Sequence, residues 1–171
     1  MKLRKLEAKD APFMLEWMHD EDVVRYMRRD FMSMTLKDCL NFIESSQDTT
    51  KDLHFAVVDD HDEYLGTVSL KHIHNGRAEF GITMRRGAMG TGISRSAMDS
   101  LIEFGFDRVG LREIYWCVEP DNIRAVRFYD KNGYTRSSGP VKDSDYTEEE
   151  KQRYIWYKVS RATEAENDKE Y

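Results

Sequence analysis

The stretch from Arg77 to Val118 limits the fold more than any other. Arg77–Met84 has the composition of a strand, and a basic glycine loop follows, Arg85-Arg86-Gly87-Ala88-Met89-Gly90-Thr91-Gly92. A helical pattern then runs from about Gly92 to Arg108, with Ile93, Ala97, Met98, Leu101, Ile102, Phe104 and Phe106 as its apolar set. Gly110 ends that helix, and Glu113–Val118 reads as the next strand. Strand, helix, strand predicts a parallel pair with a right-handed crossover.

The flanking segments predict antiparallel neighbours. Asn75-Gly76 is a hairpin turn between Tyr64–His72 and the strand that opens at Arg77. Leu53–Val58 is a further strand, bounded by the turn Asp59-Asp60-His61-Asp62, and Lys2–Leu6 alternates as a first strand. Two helical regions separate those strands. Asp10 caps the first, with Pro12 in its first turn and Phe13, Met14, Trp17 and Met18 at helical spacing. A break near Asp20 precedes Val23, Val24 and Met27. Thr35 with Asp38 makes a capping box before the stripe Leu36, Cys39, Leu40 and Ile43. Thr135–Lys142 and Arg153–Ser160 are expected as a last hairpin, joined by the acidic connector Asp143–Lys151. The expected class is a mixed α/β (α+β) domain over residues 1–160, mostly antiparallel, with a polar tail at 161–171 that frays.

At 171 residues, 40% hydrophobic and 34% charged, the chain fits one globular domain. No apolar run approaches the roughly 20 residues that span a bilayer, and the charged N-terminus lacks a signal-peptide core. A net charge of −6 argues against nucleic acid and suits a cationic partner. Two cysteines, Cys39 and Cys117, exclude a disulfide framework, and a reducing cytoplasm is the simplest setting. His54, His72 and His74 lack carboxylates at ligand spacing, so no metal site is expected.

Two stretches carry chemistry. In the loop, Gly87, Gly90 and Gly92 permit close backbone approach, the helix behind offers unpaired N–H groups, and Arg85 and Arg86 add charge; this suits a pyrophosphate, with a plain tight turn as the alternative. Neither a dinucleotide fingerprint nor a Walker loop is present. The second stretch is Val118-Glu119-Pro120-Asp121-Asn122-Ile123-Arg124-Ala125-Val126-Arg127-Phe128-Tyr129-Asp130-Lys131-Asn132-Gly133-Tyr134. It reads as strand end, turn, helix capped by Asn122 or Asp121, and a stop at Gly133. Seven residues separate Asn122 from Tyr129, so both share one helix face.

In this order of elements, and above all in Pro120-Asp121-Asn122-x-x-Ala125-x-x-Phe128-Tyr129-x-Lys131-x-Gly133-Tyr134, the chain resembles the GNAT superfamily of acyl-CoA-dependent N-acetyltransferases over roughly Lys2 to Ser160. One departure stands in the loop. The family pattern is Arg/Gln-x-x-Gly-x-Gly/Ala, whereas here Arg86 lies four residues before Gly90 and Gly87 takes the basic position. The resemblance implies a GNAT-like central sheet whose two parallel strands splay. The pantetheine arm of acetyl-CoA would lie along Ile82, Thr83 and Met84, the pyrophosphate on the loop from Arg85 through Arg86, Gly87, Met89, Gly90 and Thr91 to Gly92, and Asn122 would steady the arm. An amine would attack the thioester directly, with Tyr129 as general acid.

Glu79 is the candidate base, on a strand face with Gly81 and Thr83, opposite Phe80, Ile82 and Met84. A structural pairing of Glu79 with Arg77 or Arg112 is the alternative, and Glu119 is the rival carboxylate. Cys117 reads as a buried strand cysteine. Tyr26 and Phe31 are candidates for the acceptor wall, with Trp116 as core or pocket wall. The segment from Gly66 to Met84 resembles the branch that holds polyamine and amino-sugar acetyltransferases. The expected acceptor is a primary amine on such a small molecule, ahead of a protein N-terminus. A non-catalytic acyl-CoA-binding sensor or scaffold is the competing reading. A homodimer through edge strands near the C-terminus is also expected.

Overall fold

The computed structural model describes residues 1–139 and 145–162. Among them, seven strands form one sheet in the order β1-β2-β3-β4-β5-β7-β6. The strands are β1 (Lys2–Lys5), β2 (Leu53–Val58), β3 (Tyr64–His74), β4 (Arg77–Met84), β5 (Glu113–Val118), β6 (Thr135–Ser137) and β7 (Ile155–Ser160). Six α-helices accompany them: α1 (Ala11–Met18), α2 (Glu21–Val24), α3 (Leu36–Ser45), α4 (Ile93–Phe104), α5 (Ile123–Lys131) and α6 (Glu148–Arg153). Within this sheet β4 and β5 are the parallel neighbours and the other pairs are antiparallel.

The parallel pair barely pairs. Its register covers Arg77↔Glu113, Ala78↔Ile114 and Glu79↔Tyr115 and then stops, although β4 continues to Met84 and β5 to Val118. On its other edge β4 stays in register with β3 up to Gly66↔Met84. The C-terminal half of β4 therefore has a partner on one side and an opening on the other.

The two faces of the sheet hold separate cores. Val57, Val68, Leu70, Ala78, Phe80, Ile114, Trp116 and Tyr157 pack with Ala97, Met98 and Leu101 of α4 and Tyr129 of α5. On the opposite face Ala56, Val58 and Tyr64 pack with Met14, Trp17 and Met18 of α1, Val24 of α2 and Cys39 and Ile43 of α3. Trp17 Nε1 donates to the Tyr64 hydroxyl at 2.9 Å, tying α1 to β3.

Much of the expected punctuation is present. Asn75 and Gly76 adopt positive φ (50° and 73°), the conformation a two-residue hairpin with right-handed twist requires. Thr35 and Asp38 form the capping box of α3. Other expectations are corrected. Asp10 precedes α1 but its carboxylate does not cap it; the side chain turns back to accept from Glu7 N at 2.8 Å and from Arg4. β3 continues to His74, two residues beyond the expected end, through an irregularity after Lys71 at which His72 takes φ 54°. Strict alternation fails there. The helix after the glycine loop ends its α-helical part at Phe104 and continues as a π-helical turn, Gly105–Val109. α6 starts within the expected acidic connector and runs past it to Arg153, the expected first residue of the last strand; Thr147 caps it, its hydroxyl accepting from Glu150 N at 3.1 Å. β6 ends at Ser137 and β7 starts at Ile155; the expected extension over residues 140–142, the start of the connector at 143–144 and the tail at 163–171 lie outside the described residues.

Arg4 fastens the N-terminal strand. It donates to both oxygens of Asp10 (2.8 and 2.9 Å) and to Asp62 (2.7 Å), with Asp10 nearly sealed from solvent. Lys9 also pairs with Asp62, and these two cations, Lys9 first, hold the Asp62 carboxyl down at about 2. Replacing Arg4 by Met strands a buried carboxylate, and an unfolding titration should register a loss of about 3 kcal/mol. For Asp62 the folded value lies below the unfolded one. Its contribution is therefore complete above the ordinary aspartate range near 4 and fades as the pH falls toward 2. Asp62→Asn should lower the melting temperature at pH 6 and lower it clearly less at pH 2.5.

Candidate active site

Beyond the last paired residues, Glu79 and Tyr115, the two sheet faces present different chemistry. On the α4/α5 face Trp116 sits at the centre of an aromatic cluster: Phe80 at 5.6 Å, Tyr129 at 5.4 Å, Tyr134 at 5.3 Å and Tyr157 stacked at 5.7 Å between ring centroids. Trp116 is 2% exposed, so of its two expected roles it takes the core one, and its indole N–H is buried without a hydrogen-bond partner among the described residues. Such an orphaned donor is uncommon in a folded interior and is suited to an acceptor that arrives with a ligand.

Tyr129 reaches this cluster because α5 starts where β5 ends. Asn122 caps the helix, its Oδ1 accepting from Ala125 N at 3.3 Å, and two turns later Tyr129 is buried against Trp116 and Tyr157. Burial pushes the Tyr129 phenol up, so it keeps its proton across the neutral range. Capping consumes only the Asn122 carbonyl oxygen; its amide NH2 has no partner among the described residues.

The opposite face is polar at the same level. Glu79 is 5% exposed and its Oε1 accepts from the Tyr146 hydroxyl at 2.6 Å. Lys71 Nζ stands 4.0 Å from Oε1, and His72 Nε2 stands 3.9 Å from Oε2. The alternative pairings of Glu79 do not occur: Arg77 faces Glu113 at 3.7 Å and Arg112 donates to Asn75 O at 2.8 Å. Cys117 donates its S–H to Tyr146 Oη at 3.5 Å, and burial pushes the thiol up to about 12, which excludes a ready thiolate nucleophile. Glu79 and Tyr129 thus approach the opening from opposite faces, with Phe80 and Trp116 packed on the Tyr129 side.

The glycine loop leaves the end of β4. A single 3-10 turn, Arg86–Ala88, takes up the additional residue before Gly90. Gly90 and Gly92 have φ of 74° and 84°, and nothing lies within 4 Å of where a Cβ would stand at Gly87, Gly90 or Gly92. The loop is an open cradle of backbone directly before the N-terminus of α4, as an anionic group requires. Thr91 Oγ1 donates to Ala88 O at 2.6 Å and fixes its bend, and Met89 Sδ accepts from Arg124 at 2.9 Å. The two arginines are engaged elsewhere. Arg85 binds Glu16 and Glu63, at 2.5 and 2.8 Å, and Arg86 binds Asp20 and Asp22, at 2.5 and 2.9 Å.

Near the same end of the sheet, Arg25, Tyr26, Met27, Arg28, Glu119, Asp121, Arg153 and Tyr154 line a pocket of about 290 Å³. Tyr26 and Glu119 fall in it; Glu119 is held by Arg153 at 2.6 Å. Phe31 packs edge-on against Trp17 at 5.1 Å and is not among the lining residues. Sequence reasoning missed Tyr146, whose neighbours in the chain carry no catalytic or binding motif.

The opening between β4 and β5 and the glycine cradle at the end of β4 fit a long thioester carrier with a diphosphate, as the residues present allow. A family model of the acetyltransferase (GNAT) domain matches residues 1–135. An uncharacterized N-acetyltransferase of Bacillus licheniformis is 30% identical over 132 residues, covering 74% of each chain. The spermidine N(1)-acetyltransferase of Escherichia coli K12 is 28% identical over 143 residues, 79% of this chain and 73% of its own. In fold the chain is similar to the spermidine N-acetyltransferase of Vibrio cholerae, solved with CoA and spermine, at a TM-score of 0.77 and 20% identity over 93% of this chain and 94% of that one. The chain therefore belongs to the GNAT acetyltransferases, enzymes that move an acetyl group from acetyl-CoA to an amine.

Proposed function

We propose that the acceptor is a primary amine of a small polycation of the polyamine class and that Glu79 and Tyr129 serve the transfer from the two sides of the β4–β5 opening. The observation that carries the reading is the interrupted ladder, since it leaves free backbone on β4 beside a buried carboxylate and a buried phenol. Backbone groups of Ile82, Thr83 and Met84 would hold the pantetheine arm, with the Asn122 NH2 as a second support. The amides from Arg85 to Gly92 would receive the pyrophosphate, and Arg86 could exchange Asp20 and Asp22 for it.

The chemistry follows from charge. An alkylammonium, near 10.4 when lysine-like, must lose a proton before its nitrogen can attack. Glu79 accepts that proton, and the nitrogen bonds to the thioester carbon. As the C–S bond breaks, the electron pair moves to sulfur, and the Tyr129 O–H donates to it. The high proton affinity of the buried phenol makes it a donor rather than a base.

For the acceptor, the E. coli relative named a spermidine N(1)-acetyltransferase supports the polyamine class, as does the net charge of −6. In the pocket Tyr26, Tyr154 and Asp121 offer two ring faces and a carboxylate to a remote ammonium. The arginines there are each neutralised, Arg25 by Asp22 at 3.1 Å, Arg28 by Glu150 at 2.8 Å and Arg153 by Glu119 at 2.6 Å. No helix among the described residues is long and apolar enough to cross a membrane.

Purified protein with acetyl-CoA should release thiol with spermidine or spermine and much less with an amino sugar or a peptide N-terminus. The reverse order of preference overturns the acceptor class. Tyr129→Phe keeps the aromatic packing and should lower kcat by about 10²-fold with the KM for acetyl-CoA nearly unchanged. Glu79→Gln should lower kcat/KM for the amine by a similar factor, about 10²-fold, in steady-state assays at neutral pH.

A further inference from the structure

Glu79 is buried, yet the one side-chain hydrogen bond it makes among the described residues, at 2.6 Å, comes from outside the segments assigned to the site from the sequence. The donor, Tyr146, lies between β6 and α6. Its hydroxyl sits between Glu79 and Cys117, donating to the carboxylate and accepting from the thiol at 3.5 Å. Its ring is gripped from several elements. The Arg28 guanidinium lies over it at 4.2 Å, Trp156 of β7 meets it edge-on at 5.0 Å and Tyr154 at 6.0 Å. Arg28 is fixed in turn by Glu150 of α6, at 2.8 Å. Arg28 and Tyr154 also line the acceptor pocket, so the ring lies against two of its wall residues while the hydroxyl holds Glu79.

We propose that Tyr146 is a positioning residue of the acetyl transfer: its hydroxyl orients the Glu79 carboxylate, and its clamped ring couples that orientation to the wall of the acceptor pocket. The inference rests on the reading of Glu79 as the proton acceptor. A buried carboxylate with one strong donor has a defined direction for its remaining lone pairs. Oε2 is left to face the incoming amine. The charged and titratable groups around it are Lys71 and His72 from β3, Tyr115 and Cys117 from β5, and Tyr146, with Asp145 a further 3.7 Å beyond His72. The Lys71 and His72 nitrogens stand at or near 4 Å, too far to hydrogen-bond, so among the described residues the orientation is set by the phenol. Burial pushes that phenol up, with Cys117 and Glu79 adding to it, and so it remains a donor.

The test is a double-mutant cycle on kcat with a polyamine acceptor. Tyr146→Phe keeps the ring under Arg28 and removes only the hydroxyl. It should lower kcat at least about tenfold while the KM for acetyl-CoA and the melting temperature stay close to the parent values. In the Glu79→Gln background the same substitution should cost almost nothing further, because nothing remains to orient. A kcat at the parent level in Tyr146→Phe, with Glu79→Gln slow, removes the positioning role and leaves the base in place. Equal losses in both backgrounds, or a loss matched by a fall in melting temperature and restored at lower temperature, mark a structural role and also overturn the proposal. Full activity in Glu79→Gln removes the base and the positioning role together.

Discussion

The structure depends on one short parallel ladder. Among the described residues six strand junctions hold the sheet, and the one between β4 and β5 closes for three residue pairs although both strands run on. At the next level Phe80 and Trp116 meet edge-on, with Tyr129, Tyr134 and Tyr157 packed round the indole. Five rings at one level have the volume to keep two strands from closing to ladder spacing. A parallel pair is also joined only through its crossover, so no tight hairpin forces the C-terminal ends together. The open edge would be a liability on a sheet rim. In mid-sheet, flanked by helices, it is a slot with hydrogen-bonding walls.

The slot divides labour between faces. Apolar surroundings on the α4/α5 side keep a phenol protonated, whereas the other side gathers Glu79, Tyr146, Cys117, Lys71 and His72. In the proposed transfer the donor to sulfur and the acceptor of the ammonium proton take these unlike environments, the first from α5 on one face and the second from β4 on the other. The loop at the end of β4 is connected to the first helices through Arg85 and Arg86 and their carboxylates on Glu16, Asp20 and Asp22. The segment that follows α2 supplies Tyr26 and Arg28 to the acceptor pocket. The proposed coenzyme loop and the pocket proposed for the acceptor are thus linked through a few ion pairs.

Local patterns made a large part of this readable. Leu53–Val58, Arg77–Met84 and Glu113–Val118 begin and end in the structure where composition and turn residues place them, because their alternation, the Asn75-Gly76 turn and the glycines act within a few residues. The Asn122 to Tyr129 spacing put an amide and a phenol on one helix face for the same reason. Asp10 shows where local reading fails. A capping residue by type, it is drawn off its helix by Arg4, because a buried bidentate ion pair outweighs an exposed cap. The connector concealed α6, whose capping box at Thr147 and Glu150 is visible in the sequence but sits in a run of acidic residues that reads as solvated chain.

The sequence by itself determined the order of elements, the parallel crossover and the residue types at the slot, since periodicity, caps and turns are properties of neighbours in the chain. Only the tertiary structure decided how far β4 and β5 pair, that Glu79 turns to Tyr146 rather than to Arg77 or Arg112, and that Arg85 and Arg86 are held by carboxylates 22 to 69 residues away in sequence. Those outcomes rest on packing volume and on competition among distant charges, which no local pattern encodes.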